Sequence, residues 1–393
     1  MKKFVSAVLA GCMALSLAAC GNSASSASTA STGGASEGSN GTTVIKIGGI
    51  GPVTGAAAVY GNAVKLGAEI AVEEINAKGG IQYEFKFEDD ENDAEKSINA
   101  YNNLKDWGMQ ILMGTVTSTP CIAVAAETSA DNMFQITPSG SAEDCIATDN
   151  AFRVCFSDPE QGTLSAEYIS ENNLATKIAI IYDSSDVYSS GIHDAFVAKA
   201  EELGLEIVCD EKFTSDSNKD FSAQVSKAQS SGADLLFLPI YYNEASLILT
   251  RADAVGYEPL VFGCDGLDGL VSVENFDTAL AEGVMLMTPF TAAATDEMTT
   301  SFVAAYEEKS GGETPNQFAA DAYDAIYAID AAIQKAGVTA DMSYSDICDA
   351  LKTAITEIEL DGLTGKGITW DASGAPTKTP AVYIIENGVY VAA

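Results

Sequence analysis

From residue 44 onward, short runs rich in Val, Ile, Leu and Phe alternate with longer stretches in which apolar residues recur every three or four positions, with turn residues between them. The first kind predicts buried strands and the second amphipathic helices. Val44-Ile45-Lys46-Ile47 opens the series as a strand, and a helix is expected over 62–77, stopped by the basic turn and glycines of Lys78-Gly79-Gly80. Strands at 83–87, 110–113 and 133–136 then enclose helices at 94–107 and 121–130. The rhythm restarts with strands at 177–182, 205–209, 234–238 and 260–262, separated by helices at 192–203, 221–230 and 244–255. A strand at 283–287, helices at 296–309, 319–336 and 345–355, and a strand pair ending at Val391 complete it. Strands that alternate with helices imply parallel sheets covered on both faces, so two such units predict a bilobed α/β protein.

Residues 1–43 break this rhythm. Lys2 and Lys3 precede the apolar run Phe4 to Leu17, which is too short to span a membrane and ends in Leu17-Ala18-Ala19-Cys20-Gly21. A secretory signal peptide is expected over 1–19. Leu17-Ala18-Ala19-Cys20 resembles the lipobox of bacterial lipoproteins, which implies that Cys20 is lipidated and becomes the new N-terminus. The stretch 22–43 is almost wholly Ser, Ala, Gly, Thr and Asn. It cannot bury enough apolar surface to fold, so 20–43 reads as a lipidated cysteine on a flexible tether outside a membrane.

The remaining body of about 350 residues exceeds what one hydrophobic core usually organises, which again favours two domains. A formal charge of −36 repels nucleic acid and anionic headgroups, so neither is an expected partner. Beyond Cys12 in the leader and Cys20, six cysteines remain, and none shows the CxxC spacing of a zinc or redox site. Cys145 and Cys155 flank the polar turn 147–150, which leaves a bridge between them open, and the others read as small buried thiols.

In open α/β sheets, ligands bind beyond the carboxyl ends of strands, where helix N-termini offer unpaired N–H groups. Gly114-Thr115-Val116-Thr117-Ser118-Thr119-Pro120 supplies hydroxyls, an N-cap candidate and a proline for the first helical position. Thr137-Pro138-Ser139-Gly140-Ser141 supplies more, with Ser141 placed to cap a short helix. Both loops suit a carboxylate. In the second unit, Asp265 follows a strand within Gly263-Cys264-Asp265-Gly266 and suits an ammonium group, while Tyr188 and Tyr241 also follow strands and can wall a pocket.

Gly49-Ile50-Gly51-Pro52-Val53-Thr54-Gly55, Tyr60-Gly61, the run Glu74 to Ile81, Phe87-Glu88-Asp89-Asp90 and Ile136-Thr137-Pro138 together resemble the extracytoplasmic branched-chain amino-acid-binding proteins of ABC importers, from about Lys46 to Asn387. The resemblance implies the type I periplasmic-binding-protein fold, two Rossmann-like lobes with parallel sheets joined by a three-crossover hinge, here near Ser157, Thr288 and Thr379. It divides the body into 44–157 plus 289–379 and 158–288 plus 380–393. It places carboxylate contacts on Ser118, Ser139 and Ser141, aromatic contacts on Tyr60, Tyr188 and Tyr241, and the ammonium contact on Asp265, one methylene shorter than the glutamate often found there. Asn92 stands where some members carry a cysteine bridged to another near Thr117.

The implied protein is a lipid-anchored receptor on the outer face of the cell membrane, or in the periplasm, a monomer that hands an amino acid to permease subunits. Tyr60 and Ala56-Ala57-Ala58 leave room for an aliphatic or aromatic side chain. Two other readings compete. A receptor of this fold can feed a sensor instead of a transporter, or take an amide or another small organic solute. An enzyme would need acids and hydroxyls alone, because the chain has no GxSxG elbow, no Walker A sequence and no His/Cys metal set. The lone His193 sits in a helical pattern as an ordinary surface or partly buried residue. No catalytic residue, metal or cofactor is expected.

Overall fold

Two sheets organise the chain, each formed mainly of parallel strands with helices on both faces. This computed structural model describes residues 44–393. The signal peptide, Cys20 and the tether lie outside the described residues.

The first sheet holds β1 (Val44–Gly51), β2 (Gln82–Asp89), β3 (Ile111–Gly114), β4 (Gln135–Thr137) and β5 (Ala151–Arg153), in the order β2-β1-β3-β4-β5. Between them run α1 (Ala58–Ala77), α2 (Ala94–Trp107) and α3 (Ser118–Asp131). Successive β3 residues serve opposite faces. Ile111 and Met113 join the core that includes α1, and Leu112 meets residues of α2 and α3.

After β5 the chain enters the second sheet's lobe through α4 (Asp158–Glu171), followed by β6 (Ile178–Asp183), α5 (Val187–Leu203), β7 (Ile207–Phe213), α6 (Ser222–Ser231), β8 (Leu235–Leu238), α7 (Tyr242–Ala254), β9 (Leu260–Gly263) and β10 (Met285–Thr288). It returns to pack α8 (Glu297–Ser310) and α9 (Gln317–Ala336) along α1, with α10 (Tyr344–Ala354) on α9. The last strands, β11 (Ala381–Glu386) and β12 (Val389–Ala392), add an antiparallel pair beside β10, giving the order β12-β11-β10-β9-β8-β6-β7. The chain therefore passes between sheets three times. Ser157 is the N-cap of α4, Thr288 ends β10 and Thr379 precedes β11.

Backbones meet closely where α1 crosses α9. A Cβ on Gly67 would lie 2.0 Å from the Ala319 carbonyl oxygen, so only glycine fits there.

Several sequence expectations need correction. α3 starts three residues before the expected 121, because Thr117 is the N-cap; Pro120 therefore falls at the third helical position, where a missing N–H still costs no intrahelical bond. α5 and α7 also start earlier than expected, which turns Tyr188 into a first-turn residue and Tyr241 into an N-cap. β5 and α4 fall in a stretch for which no strand or helix was expected. Their signals were present: a short apolar run, then Ser157-Asp158-Pro159-Glu160, which forms a complete capping box. Cys145 and Cys155 are not bridged, and all six thiols of the body are free. Cys145 instead packs with Cys121 and donates to the Ser118 carbonyl at 3.7 Å.

Candidate functional site

The strand orders locate the crevices. In the first sheet the chain reverses direction of winding between β1 and β3, and in the second between β6 and β8, and ligands of doubly wound sheets bind at such points beyond the carboxyl ends of strands. The segment after β1 carries Tyr60 and the one after β3 carries Ser118. Those after β6 and β8 carry Tyr188 and Tyr241. The loop after β4 adds Ser139 and Ser141, and the 3₁₀ turn after β9 begins with Asp265. All seven predicted site residues line one cavity with about 240 Å³ of space between atoms.

The first lobe contributes an anion-accepting wall. Thr117 does not cap α3 with its own hydroxyl, which it donates to Asn92 Oδ1 at 2.6 Å, so the first-turn N–H groups of α3 stay available. Ser118 Oγ accepts from Ala142 N–H at 3.2 Å and keeps its own proton to donate. Ser139 donates its hydroxyl to the Val116 carbonyl at 2.6 Å, tying the two loops together. Ser141 does not cap the short helix that follows; Ala142 takes that position, and the buried Ser141 Oγ has no hydrogen-bond partner. It is a free hydroxyl on the cavity wall.

The second lobe contributes the opposite charge. Tyr188 donates to Asp265 Oδ1 at 2.7 Å and accepts from Gly266 N–H at 2.9 Å, while Gln161 accepts from Asp265 N–H at 3.0 Å. Asp265 is 3% exposed. Burial pushes its carboxyl up to about 6, against the opposite pull of the Tyr188 and Gln161 contacts. A Cβ on Gly266 would stand 2.6 Å from the Tyr188 hydroxyl, so glycine is required for this turn. Tyr188 stacks on Tyr241 with ring centroids 5.0 Å apart, and Tyr60 meets Tyr241 edge-on at 5.6 Å. Burial raises all three phenols above their ordinary range, which keeps them neutral donors.

Two residues, Phe318 and Asp158, escaped the sequence reading. Phe318, in the first turn of α9, packs 4.3 Å from Tyr60 and closes the apolar side together with Val116. It arrives from far along the chain with no local signal. Asp158, at the start of α4, is 1% exposed, and neither carboxylate oxygen has a hydrogen-bond partner. Burial drives its pKa well up, the neighbouring Ser141 pulls it down, and Asp265 and Asp186 raise it further. The capping box around it was the available clue. Ala56 and Ala57 line an adjoining space of about 780 Å³ that shares Tyr241 with the inner cavity.

His193 lies outside both spaces. Its ring stacks on Tyr182 at 3.8 Å, with Nε2 3.1 Å from Asp210 and Nδ1 2.9 Å from Asp194. Among the described residues no group of three His, Cys, Asp or Glu side chains is arranged to hold a metal, and no helix is long and apolar enough to cross a membrane.

Two lobes, each presenting its strand-end loops to one buried cavity with hydrogen-bond donors on one wall and a carboxylate on the other, define a solute-binding protein. The chain belongs to the periplasmic binding protein family, whose profile it matches over residues 44–388. It is 30% identical to the Leu/Ile/Val-binding protein BraC3 of Rhizobium johnstonii, over 89% of this chain and 94% of that one. It is 32% identical to the Leu/Ile/Val-binding protein homolog 3 of Brucella melitensis, over 76% and 80%. Among solved structures it is similar to the branched-chain amino acid transporter substrate-binding protein LivJ of Streptococcus pneumoniae in complex with isoleucine, with a TM-score of 0.80, 29% identity and coverage of 89% and 98%. The leucine-binding protein LivK of Thermotoga maritima gives 0.79 and 28%, covering 89% and 97%.

Proposed function

We propose that this chain captures a free branched-chain amino acid between its lobes and presents it to the permease of an ABC importer. The observation that carries this reading is the polarity of the inner cavity: free hydroxyls and the α3 N-terminus face Asp265 across it, a match for a zwitterion. Tyr60, Val116 and Phe318 supply apolar walls for the side chain. The similarity to Leu/Ile/Val-binding proteins, and to a relative solved with isoleucine, supports the same ligand class.

In this mechanism the lobe of 44–157 and 289–379 takes the carboxylate through Ser118, Ser141 and the loop held by Ser139. The lobe of 158–288 and 380–393 then swings about its three crossovers, bringing Asp265, Tyr188 and Tyr241 onto the ammonium group and side chain. Closure follows from the ligand's greater affinity for the closed state, and the permease reads that shape. Cys20 and the tether hold the monomer at the outer face of the membrane.

The test is calorimetric titration of the leaderless body, unfolded and refolded to strip carried ligand, against the proteinogenic amino acids. Micromolar or tighter binding of Leu, Ile or Val is expected, weakened by about 3 kcal/mol or more in Asp265→Ala and by about 1 to 3 kcal/mol in Ser118→Ala. Silence across the panel, or unchanged affinity in both variants, overturns the assignment.

A further inference from the structure

Two buried thiols sit behind the carboxylate wall of the cleft. Cys121 lies in the first turn of α3, three residues after Ser118, and Cys145 lies in the 3₁₀ turn Glu143–Ile146, four residues after Ser141. Both are 0% exposed, and with Ala142 and Ile146 they form a small cluster of their own. None of the other four thiols of the body joins this cluster. Cys145 Sγ donates to the Ser118 carbonyl at 3.7 Å, and Cys121 Sγ accepts from Gln135 Nε2 at 3.5 Å. The Cys145 thiol beside it is the largest influence holding Cys121 below its ordinary range, against burial, while burial pushes Cys145 up. Cys121 is therefore the better nucleophile of the pair.

Disulfides form and persist outside the cytoplasm, where periplasmic binding proteins work. The thiols are free in this structure, which is the reduced form. We propose that Cys121 and Cys145 become joined by a disulfide when the chain folds in contact with a disulfide-class oxidant, and that this bridge fixes the two loops that hold the ligand carboxylate. The Cys121 thiolate attacks the oxidant's S–S bond and expels one thiolate. The Cys145 thiolate then attacks the mixed disulfide at the Cys121 sulfur and expels the second. Two protein thiols lose two protons and two electrons, and the oxidant becomes two thiols. Because both sulfurs are buried once the fold is complete, the bridge forms during folding and is afterwards shielded from reductants.

The bridge ties segments that the fold already couples. Ser118 Oγ accepts from Ala142 N–H at 3.2 Å, and Ser139 donates to the Val116 carbonyl at 2.6 Å, so the loops after β3 and β4 meet through two hydrogen bonds. A covalent link behind them limits how far Ser118 and Ser141 can part. Holding both hydroxyls in place before the ligand arrives lowers the ordering cost of binding, so the dithiol form binds amino acid more weakly. The same link constrains the unfolded chain and so stabilises the fold. The effect on affinity rests on the amino-acid reading of the cleft; the bridge itself does not.

The test refolds the leaderless body, which lacks Cys12 and Cys20, with either oxidised glutathione or dithiothreitol, and titrates its thiols under denaturing conditions. All six should react in the dithiothreitol sample, and six minus the two joined leaves four in the oxidised one. Peptide mapping should find Cys121 linked to Cys145, and the oxidised form should melt about 3 °C or more above the reduced one. In Cys145→Ala that redox difference in melting temperature should vanish. By calorimetry, leucine should bind the oxidised form at least about threefold more tightly. Six thiols after oxidation, glutathione adducts in place of the bridge, a different linked pair, an unchanged melting temperature, or a redox difference that persists in Cys145→Ala overturns the bridge. Equal leucine affinity in the two forms overturns its role in the carboxylate wall. Thiol count, mapping and melting use no amino acid, so failure here and failure of the cleft assignment are distinguishable.

Discussion

The Tyr60 hydroxyl donates to the Gly266 carbonyl at 2.5 Å and accepts from Tyr242 N–H at 3.2 Å, so one phenol from the first lobe carries two hydrogen bonds to the second. The ring itself is 1% exposed and sits against Tyr242 and Phe318. These bonds exist only when the lobes are together, which makes Tyr60 a latch as well as a wall.

Tyr60→Phe keeps the ring and deletes both bonds, leaving the Gly266 carbonyl and Tyr242 N–H without their partner. Amino-acid affinity should fall by about 1 to 3 kcal/mol, roughly tenfold to a hundredfold. Calorimetry reads the change, and an unaltered Kd would show that the latch contributes nothing to closure.

Asp158 presents the reverse case, a buried carboxylate without protein hydrogen bonds. Asp158→Asn removes a desolvated acid from beside Asp265 and should raise the melting temperature of the ligand-free protein by about 2 °C or more. The same change should weaken amino-acid binding, since it removes an acid that the proposed ammonium group would favour in its ionised form. A lower melting temperature would mean that the carboxylate serves the fold rather than the ligand.

Binding should depend on pH through Asp265. Its carboxyl titrates at about 6 when no ligand is present, and an ammonium partner favours the ionised form. Protons therefore compete with ligand, and affinity should drop by up to about tenfold per unit as pH falls below about 6. Titrations from neutral to acid pH check this, and in Asp265→Asn the slope due to this group should vanish.

His193 should make stability pH-dependent in the opposite sense. Burial lowers its pKa, but the hydrogen bonds to Asp210 and Asp194 win and raise it overall. The folded state thus favours imidazolium: the contribution is complete below the unfolded value of about 6.5 and is lost as pH rises through the folded value. The stability difference between wild type and His193→Gln, from denaturant unfolding, should be larger at about pH 6 than at about pH 9. An equal difference at both would show that the ion pairs do not persist in solution.

The strand and helix rhythm was readable because burial on both faces of a parallel sheet forces continuous apolar runs, and amphipathic helices between them repeat every three or four residues. α2 (Ala94–Trp107) matched its expected span, since Asp93 caps it and Gly108 ends it in the left-handed region. Helix starts were harder to read at Tyr188 and Tyr241, where polar first turns carry no apolar period. The missing cysteine pair at Asn92 and Thr117 was visible as letters alone; that the same two positions are joined by a 2.6 Å hydrogen bond was not.

Local chemistry along the chain settles which loops offer hydroxyls, which offers a carboxylate, and that both follow strands, because capping and turn preferences act between near neighbours. Distances across the cleft obey no such rule. Tyr60 meets Gly266 and Phe318, and Asp268 meets Gln317, through the winding order of two sheets and the passage of the chain between them, which bring together residues that share no periodicity. The burial of acids such as Asp158 and Asp268 is likewise a product of packing, since whether a carboxyl group is desolvated depends on every element that closes over it.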